Sequence, residues 1–365
     1  MKIKEVTAYL EQLAPLQLQE DYDNCGLLIG HPDTEVTGVL VSLDVTEEVV
    51  QEAVRKGWNL IVAHHPLIFR GLKRLNGTDH VERTAISAIK NDVGIYAIHT
   101  NLDNVVNGVN YKIAEKLGLK QVSILKKKKN TLLKLTVFVP EGEATARVLA
   151  ALHKAGAGEI GNYSDCSFRT TGIGSFRPEE DANPVIGRRG ALEEVEENRV
   201  EVILPAYLKN PVLRAMQAAH PYEEVAYYLH ALENENQEAG SGAVGFLPEA
   251  MSVEDFLPYL KQHMNLSVIR FTPVSKMIRK VAVCGGSGSF LLGDALAAGA
   301  DAFITSDYKY HEFFGAEGRI LIADIGHFES EVFTKDLLVE IISKKITTFA
   351  TCLSEVNTNP VNYYY

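Results

Sequence analysis

The sequence predicts an α/β protein: two related α/β halves form one outer domain, and a separate α+β domain interrupts it. Three observations carry that reading. Gly38–Leu43 (GVLVSL), Asn59–Ala63 (NLIVA) and Gly94–His99 (GIYAIH) are apolar almost throughout and alternate with helical patterns, the grammar of a parallel sheet covered on both faces. Between about 130 and 235 the order changes to β-α-β-β-α-β, that of a ferredoxin-like plait. Finally, WNLIVAHHP (58–66) is echoed by ADAFITSDY (300–308), each with polar residues just past an apolar strand. A length of 365 residues accommodates two to three domains at about 150 residues each. The boundaries read as 1–128 and 237–365 for the two outer halves and 129–236 for the insert.

In chain order, residues 4–14 read as an amphipathic helix and 38–43 as the first buried strand. Thr46 caps a helix whose first turn carries Glu47 and Glu48, where the dipole favours them, and Gly57 ends it. Strand 59–63, a helix near 79–91, strand 94–99 and a helix near 108–117 follow. The basic run Lys126–Lys129 reads as a solvated linker turn, with a nucleic-acid patch as the minor alternative. Within the insert, 133–140, 166–176, 195–204 and 225–231 read as strands, and 144–156 and 208–219 as helices. A Gly-, Asn- and Glu-rich stretch, 233–242, closes it. Beyond Gly245, strands at 280–284, 302–305 and 320–323 alternate with helices at 289–298 and 329–343.

Composition excludes several classes. Hydrophobic residues make up 46% and charged residues 23%, which fits a globular chain rather than a disordered one. No run of 18 apolar residues occurs, so no transmembrane helix is expected, and the start lacks an apolar core with a small-residue cleavage site, so no signal peptide is expected. The net charge of −11 disfavours binding to duplex nucleic acid. Cys25, Cys166, Cys284 and Cys352 form no C-x-x-C pair, which argues against a zinc finger or a disulfide scaffold and for a cytoplasmic location.

The chemistry lies in histidine and carboxylate. His64 and His65 directly follow a strand and precede Pro66, at a place where the chain can turn both rings toward one cleft. His99 and Asp103 follow the next strand. Taken alone, Asp103 reads equally well as a cap, and His99 as a core histidine. His327 and Glu331 are four residues apart and share one helical face, a workable chelate that is also common on capped surface helices. All lie at the carboxyl ends of strands, where open α/β sheets bind ligands. Nitrogen and oxygen donors without thiolate suit Zn, Mn, Fe, Co or Ni. Five protein ligands exceed the usual three of one catalytic zinc, whereas two ions about 3.5–4 Å apart would use them all. Ser306, Asp307, Tyr310 and His311 follow the echoed strand and could line the same cleft. Cys284-Gly-Gly-Ser-Gly-Ser reads as a tight turn or as a phosphate cradle.

Three blocks, A-H-H-P-L-I-F (63–69), H-T-N-L-D (99–103) and G-H-F-E-S-E (326–331), resemble the signatures of the NGG-interacting-factor-three-like family, whose bacterial members are also named GTP cyclohydrolase type II homologues. In the middle, G-E-I-G-N-Y-S-D-C-S-F (158–168) and H-P-Y-E-E (220–224) resemble the PII/CutA-like insert of its longer bacterial members; His220, Glu223 and Glu224 read there as domain-contact residues. The resemblance implies two divalent metal ions per subunit, zinc first among the options, held by His64, His65, Asp103, His327 and Glu331. It also implies a homohexameric ring. His99 and Glu329 are then candidate proton-transfer residues, and Thr100, Asn101, Asp307 and His311 candidate outer-sphere or substrate contacts. The functional expectation is a metal-dependent hydrolase acting on a small molecule or nucleotide. A non-catalytic metal carrier or regulator, or a ring-shaped interaction scaffold, is the alternative.

Overall fold

The computed structural model describes residues 1–364. Contacts divide the chain into two units: residues 1–126 with the chain from 238 onward, and residues 127–237.

The first unit opens with helix α1 (Ile3–Leu13), strand β1 (Gly26–Ile29) and strand β2 (Gly38–Ser42). Helix α2 (Glu47–Lys56) follows, its N-terminus capped by the Thr46 side chain on the Val49 N–H and its C-terminus closed by Gly57 in the left-handed region. Strand β3 (Leu60–Ala63), helix α3 (His80–Lys90), strand β4 (Gly94–Ala97), the single turn α4 (Thr100–Asp103), helix α5 (Val109–Lys116) and strand β5 (Lys120–Lys127) complete the first segment. The basic run is therefore not simply a turn. Lys126 and Lys127 continue β5 at the edge of a sheet, where lysines keep further strands from pairing.

The second unit runs β6 (Leu132–Pro140), α6 (Glu143–Lys154), β7 (Phe168–Phe176), β8 (Glu193–Pro205), α7 (Lys209–Ala219) and β9 (Tyr227–Leu232). Its sheet order is β7-β8-β6-β9, with every pairing antiparallel. Leu135, Val137, Val139, Val200, Val202 and Leu204 alternate inward and bury against Val148, Leu152, Val212 and Met216 of the two helices.

The chain re-enters the first unit with β10 (Gly240–Met251), α8 (Val253–His263), β11 (Arg270–Phe271), β12 (Ile278–Ser287), α9 (Leu292–Ala297), β13 (Ala302–Ser306) and β14 (Leu321–Asp324). The Gly-rich stretch expected as loop thus already enters β10 at Gly240. Helix α10 (His327–Glu331), helix α11 (Thr334–Lys345) and β15 (Ala350–Leu353) follow. The single helix expected at 329–343 is two helices: α10 ends at Glu331 and α11 begins at Thr334.

Two sheets result, ordered β1-β4-β3-β2-β15 and β11-β14-β13-β12-β10-β5. β15, β2, β3 and β4 are parallel, as are β12, β13 and β14, and antiparallel strands flank both groups. The halves do not close at the insertion point. The first segment lends β5 to the second sheet, and the second segment lends β15 to the first. Val39, Leu60, Val62 and Tyr96 of one sheet and Val281, Val283, Ile304 and Leu321 of the other share a single core with α1, α5, α8 and α11. The opposite face of the first sheet packs on α2 and α3, that of the second on Leu291 and Ala295. With both faces covered, alternation disappears and the central strands are buried at every position.

Candidate metal centre

Polar residues gather where β2, β3, β4, β13 and β14 end. His64 is fully buried, and its Nδ1 lies 2.9 Å from the Ile98 carbonyl. A carbonyl only accepts, so Nδ1 carries the proton and Nε2 keeps its lone pair. That lone pair faces Asp103 Oδ1 at 3.7 Å and Glu331 Oε1 at 3.8 Å. Among the described residues neither His64 Nε2 nor Asp103 Oδ1 has a hydrogen-bond partner, although both atoms are buried. Buried acceptors turned toward one another repel unless a cation lies between them.

His65 and His327 are built alike. Each directs Nδ1 to an outer carboxylate, Asp44 Oδ1 at 2.7 Å for His65 and Asp307 Oδ2 at 2.6 Å for His327. Each directs Nε2 to Glu331 Oε2, at 2.8 Å and 3.1 Å. Carboxylate–imidazole pairs of this kind orient metal-ligating rings. Two donor groups, His64–Asp103–Glu331 and His65–His327–Glu331, thus share Glu331, and a third joins His64, His65 and His99.

The electrostatics are those of a cation site. Burial opposes ionisation of Asp103, and the nearby Glu331 charge adds to it, so the Asp103 carboxyl lies well above the usual range. Burial also opposes ionisation of Glu331, but the His327 and His65 rings that meet its Oε2 outweigh it and hold that carboxyl well below. For His65, burial favours the neutral ring, yet Asp44 and Glu331 raise its pKa to about 10. The same balance, with Glu331 and Asp307 as partners, raises His327 to about 9. Burial lowers His64. The metal-free protein therefore stores protons where a divalent cation would place positive charge.

Glycine makes room for this arrangement. Gly286 has φ +62°, and a Cβ there would stand 2.4 Å from Glu331 Oε1. Its N–H donates to Ser330 Oγ at 2.9 Å, and the N–H of Gly285 donates to Asn110 Oδ1 at 2.9 Å. Both amides are spent on internal partners, so the end of β12 forms a floor beneath Glu331. The rings and carboxylates open into a cavity of about 1250 Å³ walled by Tyr22, Phe69, Arg270, Phe290 and Tyr363.

A family profile described as Duf34/NIF3 (NGG1p interacting factor 3) matches residues 1–360. The chain belongs to the DUF34/NIF3 family. It is similar to the "GTP cyclohydrolase 1 type 2 homolog" of Halalkalibacterium halodurans, 41% identical over 364 residues with 98% of each chain covered. The Bacillus subtilis protein of the same name is 37% identical over 371 residues, covering 99% of this chain and 98% of the relative. Among solved structures, a Bacillus cereus protein related to NIF3 superposes with a TM-score of 0.86 at 38% identity, covering 100% of this chain and 99% of that one. A Staphylococcus aureus protein follows at 0.78 and 31%, with the same coverage.

In this DUF34/NIF3 chain the five residues read as ligands, His64, His65, Asp103, His327 and Glu331, converge on one cluster; four of them line the cavity and His64 is fully buried beside them. The candidates around them separate. His99 lines the cavity, its Nδ1 held by the buried Asp23 at 2.9 Å. Glu329 also lines it, its Oε1 accepting from Asn359 Nδ2 at 3.2 Å. Asp307 holds His327, and Thr100 donates its N–H and hydroxyl to Asp23. Asn101 is turned away: it is fully buried, donates to the Ala14 carbonyl at 2.7 Å and accepts from the His99 N–H, so it shapes the corner and meets no ligand. His311 is an exposed residue beside Tyr310 and Phe314 and is not part of the cavity wall, because the 3-10 turn Tyr310–Ala316 carries it outward. Neither Ser306 nor Tyr310 reaches the wall. In the second unit His220 bonds the Phe138 carbonyl and the Tyr222 N–H, both partners within that unit.

Asp23, Asp44, Asn110 and Ser330 were missed in the sequence. Asp44 was discoverable, since it stands just past the carboxyl end of a buried strand. Asp23 lies in an irregular stretch with no periodic signal.

Proposed function

We propose that the cavity is a dinuclear metal centre and that the protein is a metal-dependent hydrolase. In this reading His64, Asp103 and Glu331 would hold one ion and His65, His327 and Glu331 the other, Glu331 being common to both donor groups. The observation that carries it is the pair of buried, unpartnered acceptors, His64 Nε2 and Asp103 Oδ1, aimed at one another across a gap that also faces Glu331. Ions bound there would supply Lewis acidity and a water acidified to near neutral pKa. Asp44 and Asp307 keep the rings of His65 and His327 aimed. His99 is our first candidate for proton transfer, because Asp23 fixes its Nδ1 proton and leaves Nε2 as the acceptor. Glu329 is the second. The relatives' name, GTP cyclohydrolase 1 type 2 homolog, makes purine nucleotides the first substrates to screen.

The same proposal takes the second unit as a ferredoxin-like domain of the PII/CutA-like kind, supported by its element and strand order. It also takes a homohexameric ring as the assembly and the cytoplasm as the location. Among the described residues no helix is long and apolar enough to cross a membrane.

Metal content tests the core of this reading. Protein purified without chelator or nickel affinity resin is analysed by elemental mass spectrometry. About two tightly held divalent ions per chain are expected. No metal as purified, and no uptake of Zn, Mn or Fe, would overturn it.

A further inference from the structure

The segment after β15 reaches the centre from a part of the sequence that none of the motifs covers. Ser354 anchors it, donating its hydroxyl to the buried Glu52 at 2.6 Å, while the N–H of Glu355 donates to the same carboxylate. Past the anchor, Thr358 Oγ1 donates to Asp44 Oδ2 at 2.6 Å and Asn359 Nδ2 to Glu329 Oε1 at 3.2 Å. Two side-chain-to-backbone turns, Asn357 Oδ1 with the Asn359 N–H and Asn359 Oδ1 with the Val361 N–H, set the course of the chain. Thr358, Asn359, Pro360, Val361 and Tyr363 all line the cavity.

We propose that this segment is a positioning strap: Thr358, acting through Asp44, fixes the ring of His65 and so sets how firmly the centre retains a divalent cation. The inference rests on the metal-centre reading above. Both oxygens of Asp44 are committed, Oδ1 to His65 Nδ1 at 2.7 Å and Oδ2 to the Thr358 hydroxyl at 2.6 Å. A carboxylate held at one oxygen can still rotate about its last bond; held at both, it presents a fixed lone pair to the imidazole. The Asp44 side chain is about one-third exposed (34%), so water competes for it once the hydroxyl is gone. The ring it aims points Nε2 at Glu331 Oε2, 2.8 Å away. Thr358 thus stands two hydrogen bonds from the nitrogen that would bind metal, although 314 positions separate it from Asp44 in sequence. Asn359 places Glu329 in the same way on the opposite segment of the site. The fold anchor of the segment, Ser354 on Glu52, lies upstream, so Thr358 can be altered without releasing the strap.

The full-length wild type, Thr358→Ser and Thr358→Val are loaded with zinc alone, and its loss to excess chelator is timed. Thr358→Ser, which keeps the donor, should match the wild type within about twofold. Thr358→Val, nearly isosteric, should release zinc about fivefold faster or more, approaching the 10–100-fold typical of removing a direct outer partner. Imidazole NMR of the metal-free proteins gives a second reading. The His65 Nδ1 proton should be protected from exchange in the wild type and in Thr358→Ser and exposed in Thr358→Val, with similar thermal midpoints in all three. Equal zinc loss from Thr358→Val and the wild type overturns the proposal, as does equal acceleration in both variants with lowered midpoints. Should the wild type take up no zinc, the metal-centre reading fails by itself. The His65 proton then decides the strap: it stands if only Thr358→Val exposes that proton and falls if all three behave alike.

Discussion

Replacing Asp23 by asparagine should destabilise the first unit by about 4 kcal/mol at neutral pH. The Asp23 side chain is fully buried. Its Oδ1 accepts from His99 Nδ1 at 2.9 Å and the Asn24 N–H at 2.7 Å; its Oδ2 accepts from the Thr100 N–H at 3.0 Å, the Thr100 hydroxyl and the Cys25 thiol at 3.2 Å. Burial alone would raise this carboxyl; hydrogen bonds from His99, Thr100 and Cys25 outweigh burial and hold it far below the usual range. An amide keeps one acceptor and turns an N–H₂ toward the donors on the other side. Two or more bonds to a charged acceptor are lost, each worth about 1.5–3 kcal/mol, and the stranded donors remain buried. The protein has one tryptophan, Trp58, which packs over Gly38 in the first unit, so its fluorescence in a denaturant titration of the metal-free protein reports on that unit. The pH dependence carries a sign. A folded-state pKa below the unfolded value of about 3.9 gives stability that is fully present above about pH 4 and is lost as pH falls toward the folded value. The gap between wild type and Asp23→Asn should therefore be flat from pH 7 to 5 and narrow by about 1 kcal/mol at pH 3. A gap under about 0.5 kcal/mol at pH 7, or one that widens on acidification, would refute the reasoning.

Further outcomes follow from the same geometry. Zinc binding at pH 7.5 should release about two protons per chain, from His65 and His327, read by calorimetry in buffers of different ionisation enthalpy; release below one would contradict the charge state assigned to those rings. Because both rings must lose protons that they hold up to about pH 10 and about pH 9, apparent metal affinity should rise with pH through the neutral range. Glu331→Gln removes the carboxylate common to two donor groups and should reduce bound metal from about two ions to less than one by elemental analysis, whereas retention of two would rule out a shared ligand. Gly286→Ala drives a methyl toward Glu331 Oε1 at a left-handed position; about 2 kcal/mol of stability and most zinc binding should be lost, measured by melting and titration together. Asn101→Ala should cost about 2 kcal/mol in denaturation while leaving zinc affinity within twofold, since its partners are the Ala14 carbonyl and the His99 N–H.

Much of the first unit was legible because its strands are buried on both faces. Val39–Val41, Leu60–Ala63 and Ile95–Ala97 had to be apolar at each position, and that leaves an unmistakable run. Helix α2 was readable to its ends because its cap residue and closing glycine are local chemistry. The metal-type donors were legible for a related reason. A strand end is marked in sequence by the switch from apolar to polar, so His64, His65 and Asp103 stand out without coordinates. The break between α10 and α11 was not, since the buried Ser330, Thr334, Leu338 and Ile342 keep a four-residue spacing straight across it, which suits one helix as well as two.

The sequence by itself determined which residue types are present at the carboxyl ends of the strands, and with them a chemistry of nitrogen and oxygen donors. Only the tertiary structure decided which of them meet. It set Glu331 between His64, His65 and His327, recruited Asp23, Asp44 and Thr358, and turned Asn101 and His311 away. It also passed β5 and β15 between the two sheets. The reason is range: caps, turns and periodicity act over a few residues, whereas the bond from Thr358 to Asp44, 314 positions apart, exists only after β15 has paired with β2.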